Sequence, residues 1–128
     1  MPQDKETGAA GDAFGRETAP LIAQAIGATM RGGASNEADF NGQRVVIKCA
    51  RQKTQSVGVT YQMLERLDAI VAAFETDDGS FAVLLLPTDV YRERMTETKS
   101  RGASAGAVGI VQKSAFISEG KSIATVRL

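Results

Sequence analysis

The chain has 128 residues, and its 15 Lys and Arg side chains balance its 15 Asp and Glu side chains, so the formal net charge is zero. A chain of zero net charge lacks the global positive field of a nucleic-acid coat protein, so any contact with a polyanion requires a local patch. The sequence has no His, which argues against Ser-His and Cys-His catalysis and against a typical zinc site.

Residues 1–12 are polar and lack periodic apolar positions, which predicts a flexible amino-terminal tail, and residues 13–128 suffice for a single α/β domain. The first predicted element is a helix that begins near Thr18, with Pro20 in its first turn and Gly32-Gly33 at its end. Its apolar face is formed by Leu21, Ile22, Ala25, Ile26 and Met30.

A β-hairpin is predicted over residues 35–50, because Asn41-Gly42 is a residue pair that a two-residue type I′ turn favours. Glu37, Asp39 and Lys48 then share one face of the sheet, whereas the opposite face is apolar and predicted to be core. The opposed pairs in this register are Phe40–Gln43, Asp39–Arg44, Glu37–Val46 and Ser35–Lys48.

Two interpretations of this charged face stay open. Two carboxylates and a lysine beside buried strands suit metal-assisted chemistry on a phosphate. Alternating charged and apolar residues, with cross-strand pairs of acid and Arg, are also ordinary on a half-solvated antiparallel strand. A register slip of one residue would move Lys48 to the opposite face from the acids.

Cys49 is the single cysteine, so it cannot form a disulfide within the chain. It falls on the apolar face of the hairpin, where a thiol behaves as a small hydrophobic group, and we expect no catalytic role for it. No apolar run reaches the length of a membrane span and no signal-peptide pattern opens the sequence, so we expect a cytoplasmic protein.

After the hairpin, residues 52–58 are predicted to form a polar loop and residues 59–69 a helix. A second hairpin is predicted around Asp77-Asp78-Gly79, so these two carboxylates are interpreted as turn residues. Thr88 is expected to cap a short helix that reaches Met95. The predicted strands of the second half cover residues 70–75, 81–86, 107–112 and 122–128.

Residues 96–106 contain a flexible stretch, Ser100 to Gly106, whose amides and hydroxyls suit a phosphate cradle. This stretch lacks the Gly-Lys-Ser/Thr spacing of a Walker-type loop, so it is interpreted as an ordinary loop.

The first hairpin resembles the core of the PD-(D/E)XK nuclease superfamily, the restriction-endonuclease-like fold. Asp39 matches the first acid of that family, and Lys48 matches the lysine that ends its apolar-x-Lys strand. Val46 stands where the family has its second acid, and Glu37 faces Val46 across the hairpin. The resemblance implies that Asp39 and Glu37 hold Mg²⁺ or Mn²⁺ and that Lys48 positions water or steadies the phosphate.

The resemblance also implies auxiliary roles outside the hairpin. Glu17, Gln62 and Glu65 are similar in placement to helical polar residues that branches of the family use beside the metal. The basic residues around the hairpin are interpreted as contacts to backbone phosphates without sequence readout. These are Arg44, Arg51 and Lys53.

The order of predicted elements gives an α+β domain, with a central mostly antiparallel or mixed sheet and flanking helices. The leading functional hypothesis is a metal-dependent nuclease-like hydrolase that acts on DNA or RNA. The alternatives are a non-catalytic domain of the same fold that binds nucleic acid or a protein, and a structural homodimer joined through apolar strands or the carboxy-terminal edge.

Overall fold

The structure is a computed structural model that describes residues 2–32, 35–97 and 108–128. Within these residues there are four helices and nine strands. The helices are α1 (Pro2–Ile26), α2 (Tyr61–Arg66), α3 (Thr88–Arg94) and α4 (Lys113–Glu119). The strands are β1 (Thr29–Met30), β2 (Glu37–Phe40), β3 (Gln43–Ala50), β4 (Ser56–Thr60), β5 (Ala69–Glu75), β6 (Phe81–Pro87), β7 (Thr96–Glu97), β8 (Val108–Gln112) and β9 (Lys121–Val126).

The strands form two sheets. The six-stranded sheet has the order β1-β2-β3-β5-β6-β9, in which β3 and β5 are parallel and the other neighbours are antiparallel. The three-stranded sheet has the order β4-β8-β7 and is antiparallel. This architecture confirms the prediction of an α+β domain with a mixed sheet and flanking helices.

The six-stranded sheet is buried on both faces. On one face, Ile22 and Ala23 of α1 pack against Val45, Ile47 and Val71. On the other face, the three-stranded sheet and the short helices cover the strands, and the core there contains Val46, Ile70, Phe74, Tyr91 and Phe116. On the face of the hairpin that was predicted to be a surface, Glu37 and Val46 are therefore buried, whereas Asp39 is exposed.

Helix α1 begins at Pro2, well before the predicted start at Thr18, and includes residues that were predicted to form a flexible tail. A helix lengthens at low cost once a packed turn has nucleated it, so an apolar face is not needed along its whole length. It ends at Ile26 because Gly27 adopts φ +82°. The predicted end at Gly32-Gly33 was wrong, since β1 intervenes.

Residues 56–60 form strand β4, where a polar loop and the first residues of a helix were predicted. Val57 and Val59 are buried and alternate with more exposed neighbours, which is the two-residue period of a strand. The Thr60 hydroxyl accepts the Met63 N–H at 3.2 Å and caps α2, which is only six residues long.

Other short elements also differ from the predictions. Helix α4 was not predicted. Thr88 does not cap α3, because it is the first residue of the helix and Pro87 has the cap position; the Thr88 hydroxyl donates to the Leu67 carbonyl at 2.9 Å. Asp78 is a turn residue as predicted: it accepts the Ser80 N–H at 2.9 Å, and the surrounding hydrogen bonds hold the pKa of its carboxyl below its usual range. The stretch from Ser100 to Gly106, which was interpreted as an ordinary loop, lies outside the described residues.

Strand β9 is one edge of the six-stranded sheet, and its pairing with β6 is irregular. Val83 pairs with Ala124 and Leu84 pairs with Ser122, so Ile123 is an extra residue at a β-bulge. None of the helices in the described ranges is both long and apolar enough to cross a lipid bilayer.

Tyr91 joins two neighbouring strands of the three-stranded sheet, the edge strand β4 and the central strand β8. Its buried hydroxyl lies 3.0 Å from the Val57 carbonyl oxygen on β4 and 2.7 Å from the Gly109 carbonyl oxygen on β8. We expect Tyr91→Phe to lower the free energy of unfolding by about 1.5 kcal/mol, because buried carbonyls lose their donor. Urea denaturation followed by circular dichroism measures this, and an unchanged midpoint would contradict it.

Candidate functional site

The register of the first hairpin, formed by β2 and β3, is as predicted. Asp39 pairs with Arg44 and Glu37 pairs with Val46, and Asn41 and Gly42 adopt φ 51° and 78° in the turn. The ladder ends at the Glu37–Val46 pair, so the predicted Ser35–Lys48 pair is not part of it.

Glu37 is buried, with only 4% of its surface exposed, and its carboxylate joins three other side chains. Its carboxylate accepts hydrogen bonds from Arg44 Nε at 2.9 Å, from Arg66 Nη2 at 2.6 Å and from the Ser35 hydroxyl at 2.6 Å. These donors, above all Arg66, lower the pKa of Glu37 to about 2 although burial opposes the shift. The side chain is therefore a carboxylate at neutral pH, bound to two guanidinium groups.

Asp39 lies at a different place on the hairpin. It is 53% exposed and pairs with Arg31, whose Nη1 lies 2.6 Å from its carboxylate. Asp39 is opposite Arg44, and Lys48 is four residues farther along β3, a distance of about 13 Å at the rise of a strand. The structure does not bring Asp39 and Lys48 together.

These carboxylates do not fit a divalent cation in this arrangement. Mg²⁺ binds through one or two carboxylates with free oxygens, whereas the oxygens of Glu37 and Asp39 accept hydrogen bonds from arginines. Among the side chains that the structure describes, in residues 13–32, 35–96 and 108–128, no group of three Asp, Glu, Cys or His is placed to hold a metal ion. The metal-binding role of Asp39 and Glu37 stays a prediction.

Lys48 lines a cleft of about 520 Å³. The cleft forms where β3 continues past its ladder with β2, so that residues 47–50 have no β2 partner in that ladder. Helix α1, the residues before β2, strand β4 and helix α2 surround this end of β3. The lining residues are Gly15, Arg16, Ser35, Asn36, Ile47, Lys48, Cys49, Ala50, Thr54, Ser56, Val57, Gly58 and Met63.

The lining of the cleft contains both cationic and apolar side chains. Arg16 and Lys48 are its charged residues, and none of the lining residues, all of which belong to the described part of the chain, is acidic. Cys49 is also in the lining, and burial raises the pKa of its thiol to about 12, so the thiol stays protonated at neutral pH. An anion in the cleft would therefore lie near the side chains of Arg16 and Lys48.

The remaining predicted site residues lie outside this lining. Glu17 is an exposed neighbour of Arg16 on α1, and Gln62 and Glu65 are exposed on α2. The Arg51 guanidinium lies 4.2 Å from the centroid of the Phe14 ring, and Lys53 is exposed in the same loop. Arg44 is bound to Glu37.

Sequence reasoning missed Arg16, Asn36 and Arg66. Arg16 and Asn36 reach the cleft from segments that flank the hairpin, and Arg66 comes from α2, 29 residues from Glu37. No local pattern in the sequence marks any of these three residues, because tertiary contacts between separate segments bring them to the site.

No protein-family model matches this sequence, and no curated protein matches it. Among solved structures, that of Hjc, a Holliday junction resolvase from the archaeal hyperthermophile Archaeoglobus fulgidus, is similar to this one. The two chains are 13% identical with a TM-score of 0.47, and the match covers 89% of this chain and 92% of that chain. A likeness at this level assigns neither a substrate nor an activity to this chain.

Proposed function

We propose that this protein binds nucleic acid and that the cleft holds the phosphodiester backbone. The observation that supports this proposal is the cleft lining, in which Arg16 and Lys48 are the charged residues and none of the described lining side chains is a carboxylate. Lysine and arginine are the usual partners of backbone phosphates.

The neutral net charge of the chain is compatible with this proposal because the positive charge is local. The two acidic side chains of the hairpin, Glu37 and Asp39, are paired with arginines, and neither lines the cleft. Arg51 and Lys53, in the loop after β3, are candidates to extend the contact along the backbone. A small number of phosphate contacts predicts modest affinity with a clear dependence on salt.

Metal-dependent cleavage through Asp39, Glu37 and Lys48 is the finer form of the nuclease hypothesis. It would require Glu37 to exchange arginine partners for a metal ion, and Asp39 to approach Lys48. The proposed binding function requires neither change, so it is the function that the geometry supports best.

The test is binding of fluorescently labelled single-stranded and duplex DNA, measured by anisotropy at several salt concentrations. We expect Lys48→Gln and Arg16→Gln each to weaken binding about fivefold and to reduce the slope of log affinity against log salt by about 0.7 for a single strand. The matched control is Lys121→Gln, because Lys121 is an exposed lysine on β9 that does not line the cleft.

Equal binding by wild type, Lys48→Gln and Arg16→Gln would contradict the proposal, as would salt-independent binding. Incubation of the same DNA with Mg²⁺ or Mn²⁺ tests the cleavage hypothesis in parallel. Cleavage that Asp39→Ala and Lys48→Ala both abolish would establish the metal nuclease. Absence of binding together with a concentration-dependent molecular size would favour the structural homodimer.

A further inference from the structure

We infer that the cleft accepts one unpaired nucleotide and that the carboxamide of Asn36 reads the edge of its base. This inference rests on the proposed function and adds to it a substrate class, single-stranded nucleic acid, and a residue that confers base preference. The observations that carry it are the size of the cleft, its mixture of cationic and apolar lining residues, and the backbone and side chain of Asn36.

The cleft is much larger than a phosphate group requires. Its volume of about 520 Å³ lies in the range of pockets that hold small organic ligands. Val57 and Met63 contribute apolar surface to the lining, whereas Arg16 and Lys48 contribute positive charge. A nucleotide also combines these two characters, because its base has flat apolar faces and its phosphate is anionic.

Asn36 adopts φ 58°, in the left-handed region that few residues other than glycine occupy. Its backbone carbonyl accepts the Ile47 N–H at 3.0 Å, which ties this residue to β3 just past the end of the ladder. The conformation costs free energy that the local packing must offset, and such residues cluster at functional sites.

The carboxamide of Asn36 lies on the α1 side of the cleft. A Cβ atom placed on Gly15 would lie 3.9 Å from Asn36 Nδ2, and both residues line the cleft. Within the described residues, this carboxamide makes no side-chain hydrogen bond, so its donor and acceptor are available to a ligand.

A carboxamide offers one donor and one acceptor side by side, and this pair matches the N6 and N7 atoms of adenine. A base can enter the cleft and reach the Asn36 carboxamide only when it is out of the helical stack. The duplex form therefore contributes its backbone alone, whereas a single strand places both base and phosphate in the cleft.

The experiment compares labelled oligo(dA), oligo(dC), oligo(dT) and a mixed-sequence duplex of equal length with wild type and with Asn36→Gly. Glycine keeps the left-handed backbone and removes the carboxamide. We expect the wild type to bind oligo(dA) about fivefold more tightly than the other homopolymers, as one bidentate contact allows, and more tightly than the duplex. In Asn36→Gly the three homopolymers should bind equally, with an unchanged salt slope.

Asn41 provides a matched control, because it also has positive φ but lies in the hairpin turn, outside the cleft. Asn41→Gly should keep the preference for oligo(dA). Asn36→Asp should weaken binding to every oligonucleotide, since it places a carboxylate beside Lys48 and Arg16, whereas Asn41→Asp adds the same charge without this effect.

Retention of the oligo(dA) preference in Asn36→Gly would overturn the inference, and so would equal affinity of the wild type for duplex and single strands. Either result leaves the proposed function intact as long as Lys48→Gln still weakens binding and reduces its dependence on salt. Loss of that contribution would overturn the proposed function itself.

Discussion

Replacement of Glu37 with alanine is expected to lower the free energy of unfolding by about 3 kcal/mol, because it leaves two guanidinium groups without their shared carboxylate. Arg44 and Arg66 have 35% and 41% of their side chains exposed, so water can partly solvate them. This exposure places the expected loss at the lower end of the range for a broken buried pair.

The control for this prediction is Asp39→Ala. It removes the same kind of group from the same strand, but the Arg31–Asp39 pair is exposed on both sides. Exposed pairs contribute little, so this substitution should cost less than about 1 kcal/mol. Urea denaturation of the two variants measures the difference. Equal losses in the free energy of unfolding would contradict the prediction that the buried contacts of Glu37 contribute more than the exposed pair of Asp39.

The contribution of Glu37 also has a defined pH dependence. The pKa of Glu37 falls from 4.5 to about 2 in the folded protein. A carboxyl whose pKa is lowered by folding stabilises the folded state at pH values above its pKa in the unfolded chain. The stability gap between wild type and Glu37→Ala should therefore be complete above pH 4.5 and should shrink as the pH falls toward about 2. A gap that stays constant over this range would contradict the assignment.

Replacement of Gly15 with leucine is expected to weaken nucleic-acid binding at least tenfold, because it places an apolar side chain where the ligand would lie. Gly15 lines the cleft from α1, and among the described atoms outside its own helix a methyl group there would contact Asn36 Nδ2, at 3.9 Å. The Leu side chain is expected to extend from that point into the cleft and to exclude both phosphate and base.

Gly15→Ala separates occlusion from changes in the helix. Both substitutions remove a helical glycine, so both should stabilise the protein, the alanine variant by about 0.5 to 1 kcal/mol. Binding should decrease with the volume of the side chain, slightly for alanine and strongly for leucine, in the anisotropy assay. Tight binding by a stable Gly15→Leu protein would mean that the nucleic acid contacts another surface.

The hairpin could be predicted from sequence because local chemistry specifies it. Asn41-Gly42 determined the turn, the turn determined the register, and the register placed Glu37 opposite Val46, as the structure has it. The partners of Glu37 could not be predicted, since Arg66 belongs to a helix that the chain reaches only after strand β4. Residues 56–60 alternate too briefly to be distinguished from a loop before a helix.

The same difference between local chemistry and tertiary contacts explains how much of the site could be predicted. Lys48 was predicted to be a site residue, and it lines the cleft. Asp39 and Glu37, the acids that were predicted to act with it, are bound to arginines and do not line the cleft. A sequence shows which side chains share a strand face, but it does not show which cation will neutralise a carboxylate. The cleft itself is formed by five segments of the chain, so no single motif encodes it.

The bulge at Ile123 bears on how copies of this protein behave when they meet. A regular edge strand offers an unbroken row of amides and carbonyls to a neighbouring chain, whereas β9 carries an extra residue and a lysine at its start. Such edges resist the growth of a sheet from one molecule into the next. Two copies would have to straighten this strand before they could share it, so the carboxy-terminal edge protects the protein against aggregation at high concentration.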